Sequence, residues 1–302
     1  MTPGHEYPEP VPPARLIVNP SAGGGRAGKI LPEVRRNLAR LGVEQTTHET
    51  RDLPHARELA GEAAADGVLA IALGGDGLVG AVAAELARYP GSVLGVLPGG
   101  RGNDFARVLG IPTATADACE VIATGTPRSV DLGSVDGRVF ACIASAGFDS
   151  DANRIANEAP SWLGGQVYAY GALRALAAWK PATFTIDVDG TERTYRGYSI
   201  IAANSSCYGG GMRIAPDARL DDGLLDVVLT EHIGRLRFLV KLGKVFKGTH
   251  IHEPNVHVLR GRAVRIAADR PFTIYADGDP IGELPVVVRA VPDAVRVLVA
   301  GS

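Results

Sequence analysis

After a polar start, the chain opens with Arg15-Leu16-Ile17-Val18, a short apolar run, and then places Ile30, Val34, Leu38 and Leu41 at spacings of three and four before Gly42. The run reads as a buried strand, the spacing puts the later side chains on one helix face, and the glycine marks the helix end. Together they predict a βα unit. Two more follow. Val68-Leu69-Ala70-Ile71-Ala72-Leu73 precedes a helix around residues 79–89, and Val93-Leu94-Gly95-Val96-Leu97 precedes one around residues 104–109. Strands that are apolar throughout and alternate with helices imply a parallel sheet covered on both faces.

Past about residue 130 the rhythm changes. Short strand-like runs at residues 138–144, 184–188, 198–203, 225–229, 264–267 and 272–275 are rich in β-branched and aromatic side chains, with Gly and Asp turns between them. That pattern predicts an antiparallel sheet or sandwich. It is interrupted by helical patterns at residues 162–179 and 235–247. The expected organisation is a disordered proline-rich tail over residues 1–13, a doubly wound α/β domain over 14–130 and a β-sandwich domain over 131–290, an α/β plus β fold. The sequence holds no internal repeat.

Composition narrows the function classes. With 302 residues, 46% of them hydrophobic, the chain can bury cores for two domains. Thirty-one Lys and Arg against 33 Asp and Glu leave no global field drawing it to nucleic acid, so an anionic partner must meet a local patch. Cys119, Cys142 and Cys207 are odd in number and far apart, which fits neither a disulfide framework nor a C-x-x-C site and points to a reducing cytoplasm. The start of the chain lacks the basic-then-apolar order of a secretory signal. No apolar run approaches the roughly 18 residues that cross a bilayer. The seven histidines show no metal spacing, and His250 with His252 reads as a turn.

Each early strand ends in glycine: Asn19-Pro20-Ser21-Ala22-Gly23-Gly24-Gly25, Gly74-Gly75-Asp76-Gly77 and Pro98-Gly99-Gly100-Arg101-Gly102-Asn103-Asp104. In an open α/β sheet such turns gather at the carboxyl edge, where backbone amides and helix N-termini meet phosphate. Gly23, Gly25 and Gly28 also fit a dinucleotide fingerprint, but four residues separate the strand from Gly23 and only Glu49 stands near the place of a ribose-binding acid. Residues 23–29 fit a Walker loop, except that Ile30 stands where Ser or Thr must hold magnesium.

Taken with their order and spacing, these turns, with Gly102-Asn103-Asp104-Phe105-Ala106-Arg107, resemble the catalytic domain of the diacylglycerol kinase family, in its soluble bacterial form. Asp131-Leu132-Gly133, the segment Ala215-Pro216-Asp217-Ala218-Arg219-Leu220-Asp221-Asp222-Gly223-Leu224-Leu225-Asp226, and Asp277-Gly278-Asp279 extend the likeness across roughly residues 15–300. The Gly-Gly-Asp-Gly turn alone is shared with NAD kinases and phosphofructokinases. The resemblance implies a nucleotide domain, a β-sandwich and a cleft between them, with a strand near residues 290–300 returning to the first domain. It implies ATP against Asn19, Pro20, Ser21, Ala22, Gly23, Thr50, Gly74, Gly75, Asp76, Gly77, Leu78, Val79 and Gly80. Asp76 would manage the phosphates and their Mg²⁺, and Asp279 would be the general base, since an alcohol needs one at neutral pH. Asp104 would contact the acceptor hydroxyl or order the base, or else cap its helix. A structural Mg²⁺ at Asp222 with the carbonyls of Arg219 and Leu224 is implied as well, against the plain reading of Asp221 and Asp222 as a solvated loop.

This chain departs from the family pattern at three positions: Leu78 and Arg101 stand where threonine is usual, and Asp279 replaces a glutamate. Arg101 adds a cation able to hold a phosphate. The resulting expectation is an ATP-dependent lipid kinase, cytoplasmic and transiently at the inner face of the membrane, with a homodimer left open. A kinase of a soluble acceptor and a nucleotide-binding regulatory module are the alternatives. The basic amphipathic pattern at residues 235–247 fits either a lipid surface or an ordinary packed helix. Trp162, Tyr168, Tyr170 and Trp179 fit either an acyl-chain cleft or the core.

Overall fold

The computed structural model describes residues 13–148, 150, 151, 155, 174–176 and 179–301, the side chain of Leu242 excepted. Trp162, Tyr168, Tyr170 and residues 1–12 of the tail lie outside the described residues. The chain divides into two compact units: residues up to Gly100 with Gly110–Arg128 and the chain from Val297 on, and Arg101–Leu109 with Ser129–Arg296.

The first unit contains β1 (Ala14–Val18), α1 (Ala22–Arg40), β2 (Gln45–Glu49), α2 (Leu53–Ala65), β3 (Leu69–Gly74), α3 (Asp76–Leu86) and β4 (Val93–Pro98). After α4 (Asp104–Val108), which belongs to the second unit, it resumes with α5 (Thr115–Thr124). The strand order is β4-β3-β1-β2 and every pair is parallel, with Leu16 opposite both Thr47 and Ile71. Because side chains alternate along a strand, Leu16, Val18, Ile71 and Leu73 meet Ala27, Val34 and Leu38 of α1 and Cys119 and Ile122 of α5 in one core. Helices α2 and α3 pack together and against β1 and β3. This is a doubly wound sheet. The β2–α2 unit has no apolar run to announce it: β2 reads Gln-Thr-Thr-His-Glu, an edge strand whose side chains are half-buried or exposed. Helix α2 starts where the Asp52 carboxylate accepts from the His55 amide at 2.8 Å.

The second unit is built from β5 (Thr126–Val135), β6 (Arg138–Phe140), β7 (Ile143–Gly147), β8 (Ala182–Val188), β9 (Thr191–Ala203), β10 (Leu225–Glu231), α6 (Arg235–Lys247), β11 (Val256–Gly261), β12 (Ala263–Ala268), β13 (Thr273–Ala276), β14 (Asp279–Glu283) and β15 (Val286–Val299). The chain passes from one unit to the other within β5 and again within β15. The strands run β14-β13-β7-β9-β8-β12-β15, with β10 between β9 and β11. Strand β8 buries Ala182, Phe184, Ile186 and Val188 while Thr183, Thr185 and Asp187 face outward, the alternation of a half-covered antiparallel strand. Its inward side chains join Tyr198, Ile200, Val227, Leu229, Ile266 and Val288 in a second core. Trp179 belongs to that core: it meets Phe148 edge-on and stacks on Tyr198. No helix among the described residues is long and apolar enough to cross a membrane.

Candidate active site

In the first unit the three glycine turns touch one another, backbone to backbone. The Gly99 amide donates to the Gly74 carbonyl at 2.8 Å, and the Asn19 amide to the Leu73 carbonyl at 3.1 Å. A Cβ on Gly23 would lie 2.5 Å from the Gly99 carbonyl oxygen, one on Gly99 would lie 3.3 Å from the Gly74 Cα, and one on Gly75 would lie 3.2 Å from the Gly100 Cα. Side chains there would push the loops apart. Gly23, Gly24 and Gly25 all have positive φ, so the right-handed course of α1 begins only beyond them. The Asn19 side chain fixes the entry to this turn by accepting from the Ser21 amide at 3.1 Å and its hydroxyl at 2.8 Å.

The loops after β1 and β3 lie where the strand order reverses, with β1 sending the chain one way to β2 and receiving β3 on the other side. Ligands of open α/β sheets bind at such a switch point. Gly75 caps α3, so half-buried Asp76 is its first residue, beside the positive end of the helix dipole. Val79 and Gly80 continue α3, and Thr50 leaves β2 at the same edge, its amide donating to the Val18 carbonyl at 2.7 Å. Leu78 is 2% exposed and packs on Gly74, where a Cβ would come within 2.7 Å of it. An apolar residue here therefore fills the space under the turn.

In the second unit Asp277 and Gly278 have φ of 50° and 97° and join β13 to β14 in a two-residue hairpin, with Ala276 opposite Asp279. Two left-handed residues suit the twist of paired strands. The Asp277 carboxylate accepts from the amides of Ala141, Cys142 and Ile143 at 2.6, 2.9 and 3.0 Å. It is an anchor that clamps the hairpin to β7. Asp279, the next acid along, is exposed at the first position of β14. Anchoring by Asp277 was not legible as such; the Asp-Gly pair signals a turn and nothing more.

Asp104 is 2% exposed, and its two oxygens accept from the amides of Gly210 and Gly211 at 2.7 Å each. Arg107 stands one turn on, 3.8 Å from the same carboxylate. Asp104 is the first residue of α4 rather than its cap: Asn103 occupies the N-cap position, in the left-handed region with φ of 51° and with no side-chain cap bond, while the Asp104 side chain is turned toward the glycine loop. These bonds also explain why Arg101–Leu109 belong to the second unit rather than the first. Arg101 itself is exposed. The run Gly209-Gly210-Gly211, all with positive φ, is the one part of this arrangement that the sequence signals, as a glycine run.

The Asp221-Asp222 segment is held by protein groups. Asp131 accepts from the Gly223 amide at 2.7 Å and the Asp293 amide at 2.8 Å. The Leu224 amide donates to Asp222 at 3.0 Å, and the Arg260 guanidinium pairs with the other Asp222 oxygen and, at 3.4 Å, with Asp226. Burial pushes the Asp226 carboxyl above its usual range, and Arg260 opposes that shift. The Asp222 set fits a divalent cation poorly, since a metal there would have to displace a guanidinium that already supplies the positive charge. Among the described residues no group of three His, Cys, Asp or Glu side chains is arranged to hold a metal.

A family model described as the diacylglycerol kinase catalytic domain matches residues 13–135, and one described as the YegS C-terminal NAD kinase beta sandwich-like domain matches residues 142–299. The chain is 33% identical over 291 residues to a protein of Mycobacterium tuberculosis named diacylglycerol kinase, covering 93% of each. It is 30% identical over 280 residues to one of Bacillus subtilis with the same name, covering 90% of this chain and 91% of that one. A crystal structure of a diacylglycerol kinase from Bacillus anthracis shares the fold, with a TM-score of 0.75 at 23% identity over 95% of this chain and 96% of that one. The chain belongs to the diacylglycerol kinase family.

Proposed function

We propose that this protein transfers the γ-phosphoryl group of ATP to the hydroxyl of diacylglycerol or a related lipid. The observation that carries the reading is the contact of three glycine turns at the carboxyl edge of the parallel sheet, which gathers side-chain-free backbone and the start of α3 where a triphosphate can approach. Asp76, at the start of α3, would hold the Mg²⁺ of a bound nucleotide, the cation that neutralises charge in phosphoryl transfer. Asp279 takes the proton of the incoming alcohol. Its exposure at the head of β14 and the clamp that Asp277 puts on its hairpin support that role, because a base must be both accessible and held. Asp104 positions α4 against the Gly209–Gly211 loop and orders the acceptor side.

The test supplies ATP and Mg²⁺ with diacylglycerol, monoacylglycerol, phosphatidylglycerol and sphingoid lipids in mixed micelles and identifies products by mass. A phosphorylated glycerolipid is the expected product. Protein that binds ATP yet phosphorylates no lipid on the panel would remove the lipid assignment, and detergent-independent phosphorylation of a soluble alcohol would replace it with a soluble acceptor.

A further inference from the structure

Helix α6 is amphipathic on the inside and apolar again on the outside. Its inner face is fixed by Phe238, which stacks on Tyr198 with ring centroids 3.9 Å apart. Lys241 bonds Asn255 at 2.8 Å and pairs with Glu253 at 2.5 Å, and the Arg213 amide donates to the Val245 carbonyl at 3.0 Å. Those contacts leave the opposite face uncovered. Leu236 is 80% exposed, Val240 77%, Phe246 59% and Leu239 40%. Of the large apolar side chains that stand exposed among the described residues, only Val258 lies elsewhere.

At about 100° per residue, Phe246, Leu239, Leu236 and Val240 form one stripe along the outer face, with Gly243 and Lys247 within it and Arg237 and Lys244 along its edge. The helix carries no acid. Glu253 already holds Lys241 and Lys244, and those pairs draw its carboxyl down to about 2. Arg237 and Lys247 make no ion pair among the described residues and point their charge to solvent.

We infer that the outer face of α6 docks on an anionic lipid surface, the apolar stripe entering the headgroup boundary while Arg237 and Lys247 meet lipid phosphates. The occupant follows from charge as well as from exposure. A second copy of this face would set cations against cations, whereas an anionic bilayer complements both the stripe and its basic edge. The docking surface goes beyond the proposed reaction and stands on its own geometry.

The test uses the full chain and sedimentation with vesicles of phosphatidylcholine alone or with a third of phosphatidylglycerol. Binding is expected to the anionic vesicles and to fall as salt rises. Arg237→Gln with Lys247→Gln should lower partitioning roughly 30-fold, from about fivefold for each basic residue at the surface. Leu236→Ser with Val240→Ser should lower it at least as much, and both residues are too exposed for this to unfold the protein. All variants should phosphorylate a water-dispersed short-chain diacylglycerol at the wild-type rate. Anionic-vesicle binding that survives both double substitutions overturns the inference. So does a dimer that dissociates in the Leu236→Ser, Val240→Ser variant while vesicle binding persists. Vesicle binding lost in the variants, from a protein that phosphorylates no lipid, would uphold the surface and sink only the proposed reaction.

Discussion

Gly23 and Gly25 sit two residues apart with similar positive φ, yet their surroundings differ. A Cβ on Gly25 meets nothing within 4 Å, while one on Gly23 meets the Gly99 carbonyl oxygen at 2.5 Å. Gly25→Ala should therefore cost only backbone strain, about 1 kcal/mol, and Gly23→Ala roughly 3 kcal/mol from strain plus overpacking, as read by urea unfolding at constant slope. ATP affinity should fall with Gly23→Ala, because the turns can no longer close on one another. Asp277→Ala strips an acceptor from three buried amides and should destabilise the fold by on the order of 3 kcal/mol, with Asp277→Asn costing less. The sequence displayed these residues but not their partners. Asp104 meets Gly210 from 106 positions away and Asp277 meets Ala141 from 136, and no local pattern encodes such pairings. Asp279 and Asp76 stand out as candidates through their motifs alone.

Among the elements, those with strong periodicity were readable and those with polar edges were not. Strands β1, β3 and β4 are buried at nearly every position and stood out as apolar runs. Strand β2 carries no such run, and β15 is broken by Pro292 and Asp293, so its length exceeds anything its local pattern suggested. The pattern at residues 235–247 announced a helix but could not say that its outer face stays apolar, since exposure depends on what packs beneath it. Behind α6, His250 is buried, its Nε2 meeting the Ile214 carbonyl at 3.0 Å while Nδ1 has no hydrogen-bond partner among the described residues. Burial chiefly, with His252 nearby, holds its pKa below the usual value, against the Ile214 bond that raises it. The unfolded chain then binds the extra proton more readily than the folded one. Stability is fully present above about pH 6.5 and is lost as pH falls below it. Chemical unfolding at pH 8 and pH 5.5 should show this loss, and His250→Gln, which keeps a donor toward Ile214, should flatten it.

For the molecule as a whole, a net formal charge of −2 gives no general attraction to anionic surfaces. Any membrane affinity must therefore be local, which is why the uncovered face of α6 matters. The proposed reaction assigns the nucleotide to the glycine turns of the first unit and the base to Asp279, on the hairpin that Asp277 clamps in the second. The most direct measurement compares wild type with Asp279→Asn at saturating ATP and diacylglycerol, alongside calorimetric ATP affinity. Turnover should fall roughly 10²- to 10⁴-fold with nucleotide affinity unchanged. An Asp279→Asn enzyme that phosphorylates lipid at the wild-type rate would contradict the account.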